Sequence, residues 1–288
     1  MPPFRSVLYI PASKERALEK ARTLNCDAII FDLEDAVAPD EKAAARRLLG
    51  EVLRHWDYGP RARLVRINAF ETPWGRADAA ALAEVMAQGA RVDGIVVPKV
   101  NQAADLDLVA AALPGAALWA MMETPMALLN APQIAAHPCL AGLVMGTNDL
   151  AKDLGSRFRP DRLPLQAGLG LCLLAARAQG KVILDGVFNA FRDDDGLRGE
   201  CQQGRDMGFD GKTLIHPLQI DITNAAFAPS ADEVQVARRQ IAAFDDAMAN
   251  GRAVAVVDGK IVENLHIVTA RATLTKAAQI AAMQRAGD

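Results

Sequence analysis

Val144-Met145-Gly146-Thr147-Asn148-Asp149 and, upstream of it, Met121-Met122-Glu123-Thr124-Pro125 are apolar, strand-like runs that each stop abruptly at one carboxylate. A buried strand excludes an unpaired acid, so each acid marks the end of its run. Two carboxylates at corresponding ends of neighbouring elements are the makings of a hard-cation site.

The same punctuation recurs along the chain. Strand-like runs are read over residues 6–12, 28–35, 63–70, 94–100, 117–124, 140–149, 182–188 and 209–216. Between them, apolar residues fall at helical spacing over residues 15–26, 40–56, 75–89, 102–113, 163–180 and 194–207. Alternation of this kind predicts parallel β/α units, and eight strands favour closure into a TIM (β/α)8 barrel over an open doubly wound sheet. The placement of charge agrees. Asp32, Glu34, Asp35, Arg66, Lys99, Glu123, Asp149 and Asp185 lie at or near the ends of different runs, which a barrel gathers on one face. No GxGxxG follows the first run, which removes support for a nucleotide-binding open sheet.

The barrel is assigned to residues 1–228. From 229 to 288 the pattern changes: Ser230 and Glu233 form a capping box, a helix runs to about Gly251, Asp258-Gly259 signals a hairpin, and a second helix spans about 263–286. This extension is too short for a core of its own and carries apolar stripes, so it is expected to pack on the barrel or on a neighbouring subunit.

With 288 residues, about half of them apolar, one catalytic domain plus this extension is the economical reading. A net charge of −3 leaves no basic footprint for nucleic acid or anionic membrane. The pairs Arg46-Arg47 and Arg238-Arg239 read as solvated helix surface. Cys26, Cys139, Cys172 and Cys201 show no CxxC spacing, which argues against zinc and dithiol sites and for reduced thiols. No signal segment precedes the first run and no stretch has membrane-spanning length, so a cytoplasmic protein is expected.

Glu123 and Asp149 are the candidate metal ligands, because magnesium takes one or two protein carboxylates and leaves other positions to water and substrate; the alternative is that each caps the helix that follows it. Gly146, Thr147 and Asn148, leading into Asp149, are expected to contact substrate. Arg66 interrupts a buried run and needs a planar anion, either a substrate carboxylate or an internal acid, with Glu34 the obvious one. Asp32, Glu34 and Asp35 are too dense for a core strand and are read as groups that orient Arg66 and metal-bound water, with surface termination of the strand as the alternative for Asp35. Glu34 and Asp35 are counted with Arg66 among the catalytic residues. Lys99 reads as paired with a barrel carboxylate, with a Schiff-base role as its alternative. Ser13, Lys14 and Arg16 open the first helix and suit phosphate, with plain surface charge as the alternative. His216 ends the last run. The histidines form no HxxxH or HExxH pattern, and no GxSxG is present.

Together these motifs resemble the citrate lyase β-subunit-like branch of the HpcH/HpaI aldolase superfamily, which includes malyl-CoA and citramalyl-CoA lyases and (3S)-malyl-CoA thioesterases. The matching pieces are residues 5–11 (Arg-Ser-Val-Leu-Tyr-Ile-Pro), 32–37 (Asp-Leu-Glu-Asp-Ala-Val), 40–42 (Asp-Glu-Lys), 65–68 (Val-Arg-Ile-Asn), Pro98-Lys99, Glu123-Thr124-Pro125, 208–212 (Gly-Phe-Asp-Gly-Lys) and Ile215-His216-Pro217. The resemblance implies a TIM barrel holding Mg²⁺, with Mn²⁺ as a substitute, through Glu123 and Asp149. It implies an acyl-CoA whose phosphates meet Ser13, Lys14 and Arg16, and a small 2-oxo acid whose carboxylate or oxo group Arg66 grips. It further implies homo-trimers or homo-hexamers in which a neighbour's C-terminal segment covers the active site.

In lyase members that segment supplies an aspartate as acid/base at carbon. Here residues 259–265 offer Glu263, one methylene longer.

The main functional expectation is a Mg²⁺-dependent carbon–carbon lyase cleaving malyl-CoA, citramalyl-CoA or citryl-CoA to acetyl-CoA and a 2-oxo acid. The alternative is a (3S)-malyl-CoA thioesterase releasing malate and CoA at the same site. A noncatalytic CoA-ester-binding subunit is a third reading. A free 2-oxo acid aldolase ranks below it, because Asp35-Ala36 stands where that branch would carry a histidine motif.

Overall fold

Each apolar run forms a short strand, and in the computed structural model, which describes residues 2–287, the strands close on themselves. β1 (Ser6–Pro11), β2 (Ala28–Asp32), β3 (Ala62–Arg66), β4 (Gly94–Val97), β5 (Leu118–Met122), β6 (Leu140–Met145), β7 (Val182–Asp185) and β8 (Gly211–Leu214) pair in chain order, all parallel, and β8 returns to β1. This is a TIM barrel, and the open sheet is excluded. Helices α1 (Glu15–Ala21), α2 (Lys42–His55), α3 (Gly75–Ala87) and α4 (Ala103–Ala112) follow the first four strands. β5 leads to α5 (Pro125–Leu129) and α6 (Ala131–Ala135), and β6 leads to α7 (Thr147–Asp153) and α8 (Leu163–Ala178). β7 leads to α9 (Asp194–Met207), and β8 to a 3₁₀ turn (Pro217–Gln219) and α10 (Ile220–Phe227).

Strand alternation divides the side chains between two layers. Val7, Ile30, Leu64, Val96, Met121, Val144 and Leu184 form the barrel interior with Phe4 and Trp119, whose rings lie 5.0 Å apart. Leu8, Ile29, Phe31, Val65, Ile95 and Leu143 belong to the larger core against the helices. Two residues beyond Val7, Ile30, Leu64 and Met121 come Tyr9, Asp32, Arg66 and Glu123. The period of two therefore places these polar groups on the inner face at the C-terminal rim.

The sequence reading extends every strand too far at this rim, by one to four residues. The polar residues there leave the ladder and enter βα loops, where their backbone groups bond to side chains instead. Asp149 consequently sits in the first turn of α7, not on a strand. The short helices α5, α6, α7 and α10 lie in segments too brief for a periodic signal.

Two further expectations are corrected. Asp185 follows the inward Leu184 and so faces outward, away from the rim, into a fully buried network. Arg162 donates to both its oxygens at 2.7 and 2.8 Å, and Lys212 lies at 3.1 Å. Burial opposes its charge, but Lys212 and Arg162 outweigh burial and hold the carboxyl below its ordinary range. Arg46 is not merely solvated surface. It donates to the buried Asp78 at 2.7 Å.

The chain forms two compact units. One is the barrel, residues 4–227, and the other comprises 228–287 together with residues 2–3. In the second unit, Ser230 and Glu233 complete the capping box of α11 (Ala231–Ala249). β9 (Ala255–Val257) and β10 (Lys260–Val262) join through Asp258 and Gly259, whose φ values of 49° and 73° give the hairpin its turn. α12 (Asn264–Gly287) follows. Ala247, Ala255, Val262 and Ile267 form this unit's small core, while Val256, Ile261, Leu265 and Val268 remain exposed. Among the described residues, no helix is long and apolar enough to cross a membrane.

Candidate active site

Arg66 ends β3 pointing inward, and its guanidinium is buried. Nε and Nη2 donate to the two oxygens of Asp32 at 2.7 and 2.6 Å, a bidentate fork across adjacent strands. The Tyr9 ring lies 4.9 Å away, and the Tyr9 hydroxyl donates to Met121 Sδ at 3.4 Å. Asp32, not Glu34, is thus the principal partner, because only the inward strand residue faces Arg66 edge-on. Glu34 Oε2 approaches Nη1 at 2.8 Å without hydrogen-bond alignment, and the exposed Asp35 reaches it at 3.4 Å.

The loop bearing Glu34 is pinned from below. Lys42, buried beside the Trp74 ring, donates to the carbonyls of Leu33 and Glu34 at 2.9 and 2.8 Å. Asn68 donates to the Leu33 carbonyl at 2.9 Å and to Asp78 at 2.6 Å. Tyr9, Lys42, Asn68 and Asp78 are functional neighbours that the residue patterns alone do not single out. The period-two position of Tyr9 is the signal that would have found it.

Burial pushes the Glu34 carboxyl up to about 8, with Arg66 opposing the rise. The folded protein therefore holds a proton there that the unfolded chain releases near pH 4.5. The native state binds more protons between these values, so stability is full below about 4.5 and is lost as pH rises toward 8. In metal-free protein, Glu34→Gln is expected to flatten that loss. Urea melts at pH 5 and pH 8.5 check this, and an unchanged slope would refute it.

Two strands further round the same rim, Glu123 is buried and follows β5, and Asp149, in the first turn after β6, is partly open. Lys99 joins them. Its backbone has φ 54°, and its N–H donates to Glu123 Oε1 at 2.6 Å. Its ammonium lies 2.5 Å from Asp149 Oδ2 and 3.6 Å from Glu123 Oε1. Burial raises the Glu123 carboxyl above its ordinary range, with Lys99 opposing. Burial also opposes the Lys99 charge, but the bond to Asp149 and the Glu123 field outweigh it and hold the ammonium above its ordinary range.

Two carboxylates that close on one ammonium can reach one cation, and an all-oxygen pair suits a hard ion such as magnesium. Among the described residues, no group of three or more His, Cys, Asp or Glu side chains forms a metal cluster, so the remaining positions would fall to water and substrate. Gly146 makes room for this pair. A Cβ there would stand 2.3 Å from Glu123 Cβ and 2.7 Å from Oε2. Gly146→Ala is expected to displace the carboxylate and weaken magnesium binding at least about tenfold by calorimetry. Unchanged affinity would show that the seat tolerates the methyl.

The other candidates scatter more widely. Thr147 is buried where a Cβ on Gly186 would strike it, and Asn148 exchanges amide hydrogen bonds with Asn189 at 2.8 and 3.2 Å. Both line a cavity of about 660 Å³ with Arg157, Phe158, Val187 and Phe188. Ser13 has a buried hydroxyl without a partner, Lys14 pairs with Glu41 at 3.3 Å, and Arg16 is exposed. His216 caps the 3₁₀ turn and stacks on Phe191. Glu263 belongs to the second unit, exposed between β10 and α12, with its N–H donating to His266 Nδ1 at 3.0 Å.

A closed parallel barrel with an arginine–aspartate fork and a carboxylate pair on one rim defines a class of barrel enzymes. Residues 5–217 match the HpcH/HpaI aldolase/citrate lyase family, and the chain belongs to that family. It is 68% identical over 282 residues to a (3S)-malyl-CoA thioesterase of Cereibacter sphaeroides, covering 98% of this chain and 97% of that protein. It is 32% identical to an L-malyl-CoA/β-methylmalyl-CoA lyase of the same species, covering 97% of this chain and 96% of that one. A crystal structure of protein CitE from Mycobacterium tuberculosis, in complex with magnesium, acetoacetate and coenzyme A, superposes with a TM-score of 0.78 at 30% identity, covering 95% and 97% of the two chains.

The expectation of a carbon–carbon lyase is corrected by these relatives. Proteins 66–68% identical bear the thioesterase name, whereas lyase names come at 32–34%. The protein belongs to an enzyme superfamily that includes CoA-ester thioesterases and lyases.

Proposed function

We propose that the protein hydrolyses (3S)-malyl-CoA to malate and free CoA at the barrel rim. Identity of 66–68% to thioesterases, over 97–98% of the chain, carries this reading. Glu123 and Asp149 would hold the magnesium, or manganese in its place. When bound, the ion lowers the energy of negative charge developing on substrate oxygens.

Arg66, locked by Asp32, presents its Nη1 edge to the malyl carboxylate. Glu34 packs against that edge, and Asp35 flanks its open side. Gly146, Thr147 and Asn148 shape the wall beside the acyl group, and Ser13, Lys14 and Arg16 receive the CoA phosphates. Assembly as a homo-trimer or homo-hexamer would let one copy's hairpin close a neighbour's rim and bring in Glu263. Glu263 takes a proton from water, the water oxygen bonds to the thioester carbon, the C–S bond breaks, and the CoA thiolate takes up the proton.

The extra methylene relative to aspartate supports hydrolysis. Proton delivery to carbon demands tight placement of the acid, whereas a water between acid and thioester accommodates the longer reach.

Incubation of purified protein with (3S)-malyl-CoA tests the reading. Equimolar malate and free thiol are expected with Mg²⁺, and neither with EDTA. Glyoxylate and acetyl-CoA in their place would overturn it.

A further inference from the structure

We propose that the Lys99 side chain is a built-in competitor for the divalent cation: it closes the Glu123–Asp149 pair when no metal is present and must swing away for metal to enter. The inference rests on the reading of that pair as the metal site.

The ammonium already lies between the two carboxylates, 2.5 Å from one and 3.6 Å from the other. A magnesium ion bonded to both would sit about 2.0–2.1 Å from each oxygen and so within about 5 Å of the ammonium where it now lies. Two cations at that separation repel strongly in a partly buried site. The side chain can yield, since it is 38% exposed and hangs on a flexible four-carbon stem.

Glu123 does not move with it. The Lys99 backbone N–H holds Glu123 Oε1 at 2.6 Å whether or not the ammonium stays. The left-handed backbone at Lys99 lets one residue address one carboxylate through its N–H and the other through its side chain. Metal entry therefore exchanges one side-chain contact while the anchoring of the buried acid persists. In the apo site one ammonium thus lies between the two carboxylates, and the buried acid does not face Asp149 without a cation between them.

Calorimetric titration of MgCl₂ into wild type, Lys99→Gln and Lys99→Met at pH 8, without substrate, tests this. Apo melting temperatures serve as the fold control. Both variants are expected to bind magnesium at least tenfold more tightly than wild type. Equal or weaker binding in the variant that melts like wild type would overturn the proposal. Failure of every form, wild type included, to bind magnesium would instead remove the metal pair itself. A magnesium-loaded structure gives the second readout: Nζ should lie more than 4 Å from Asp149, and an unmoved ammonium contradicts the proposal.

Discussion

Glu123→Ala is expected to lower magnesium-dependent release of CoA from malyl-CoA by about 10²–10³-fold or more, and Asp149→Ala to do the same. The effect is large because, among the described residues, no group of three or more metal-ligating side chains forms here, so each variant would remove one of the two carboxylates proposed to hold the ion. The two variants should part company in stability. Removing Glu123 deletes a buried acid together with the acceptor for the Lys99 N–H, whereas Asp149 is partly open and leaves a half-exposed lysine free. Glu123→Ala is therefore the more destabilised when metal is absent. Steady-state rates with and without EDTA, beside thermal melts, separate the two effects. Retained activity in either variant removes that residue from the metal site.

Arg66→Lys ranks second. The guanidinium makes two parallel bonds to Asp32 while its third nitrogen faces the rim. A lysine is a point charge that can satisfy Asp32 or face the rim, not both. A fall of about 10²-fold or more in kcat/KM is expected, since a small misplacement of a gripping group is costly. Arg66→Met, which strands the buried Asp32 charge, is expected to cost about 3–5 kcal/mol of stability by urea melts. Near-wild-type turnover in Arg66→Lys would show that the fork is structural only.

Much of the barrel was legible because strand burial writes itself as continuous apolar runs, and a carboxylate closing such a run is chemically conspicuous. Glu123 and Arg66 stand out this way, and both lie at the C-terminal rim of the barrel. Whether Arg66 pairs with Asp32 or Glu34 was not legible, because that depends on which of two nearby acids shares the inner face, and the strand end must be placed to within one residue to decide it. Asp185 misled for the same reason: a shift of one residue turns a rim acid into a buried partner of helix-layer cations. Lys42 and Asn68 were silent because they act through backbone carbonyls, whose positions no sequence pattern marks. The lyase expectation followed from motifs that lyases and thioesterases share, and only similarity along the whole chain separated them.

The most direct test is a crystal of the protein grown with MgCl₂ and malate. The account requires one magnesium ion bonded to an oxygen of Glu123 and an oxygen of Asp149 at about 2.0–2.1 Å, with Arg66 still forked on Asp32. Glu123 and Asp149 turned apart, or the ion bound elsewhere on the barrel, would contradict it.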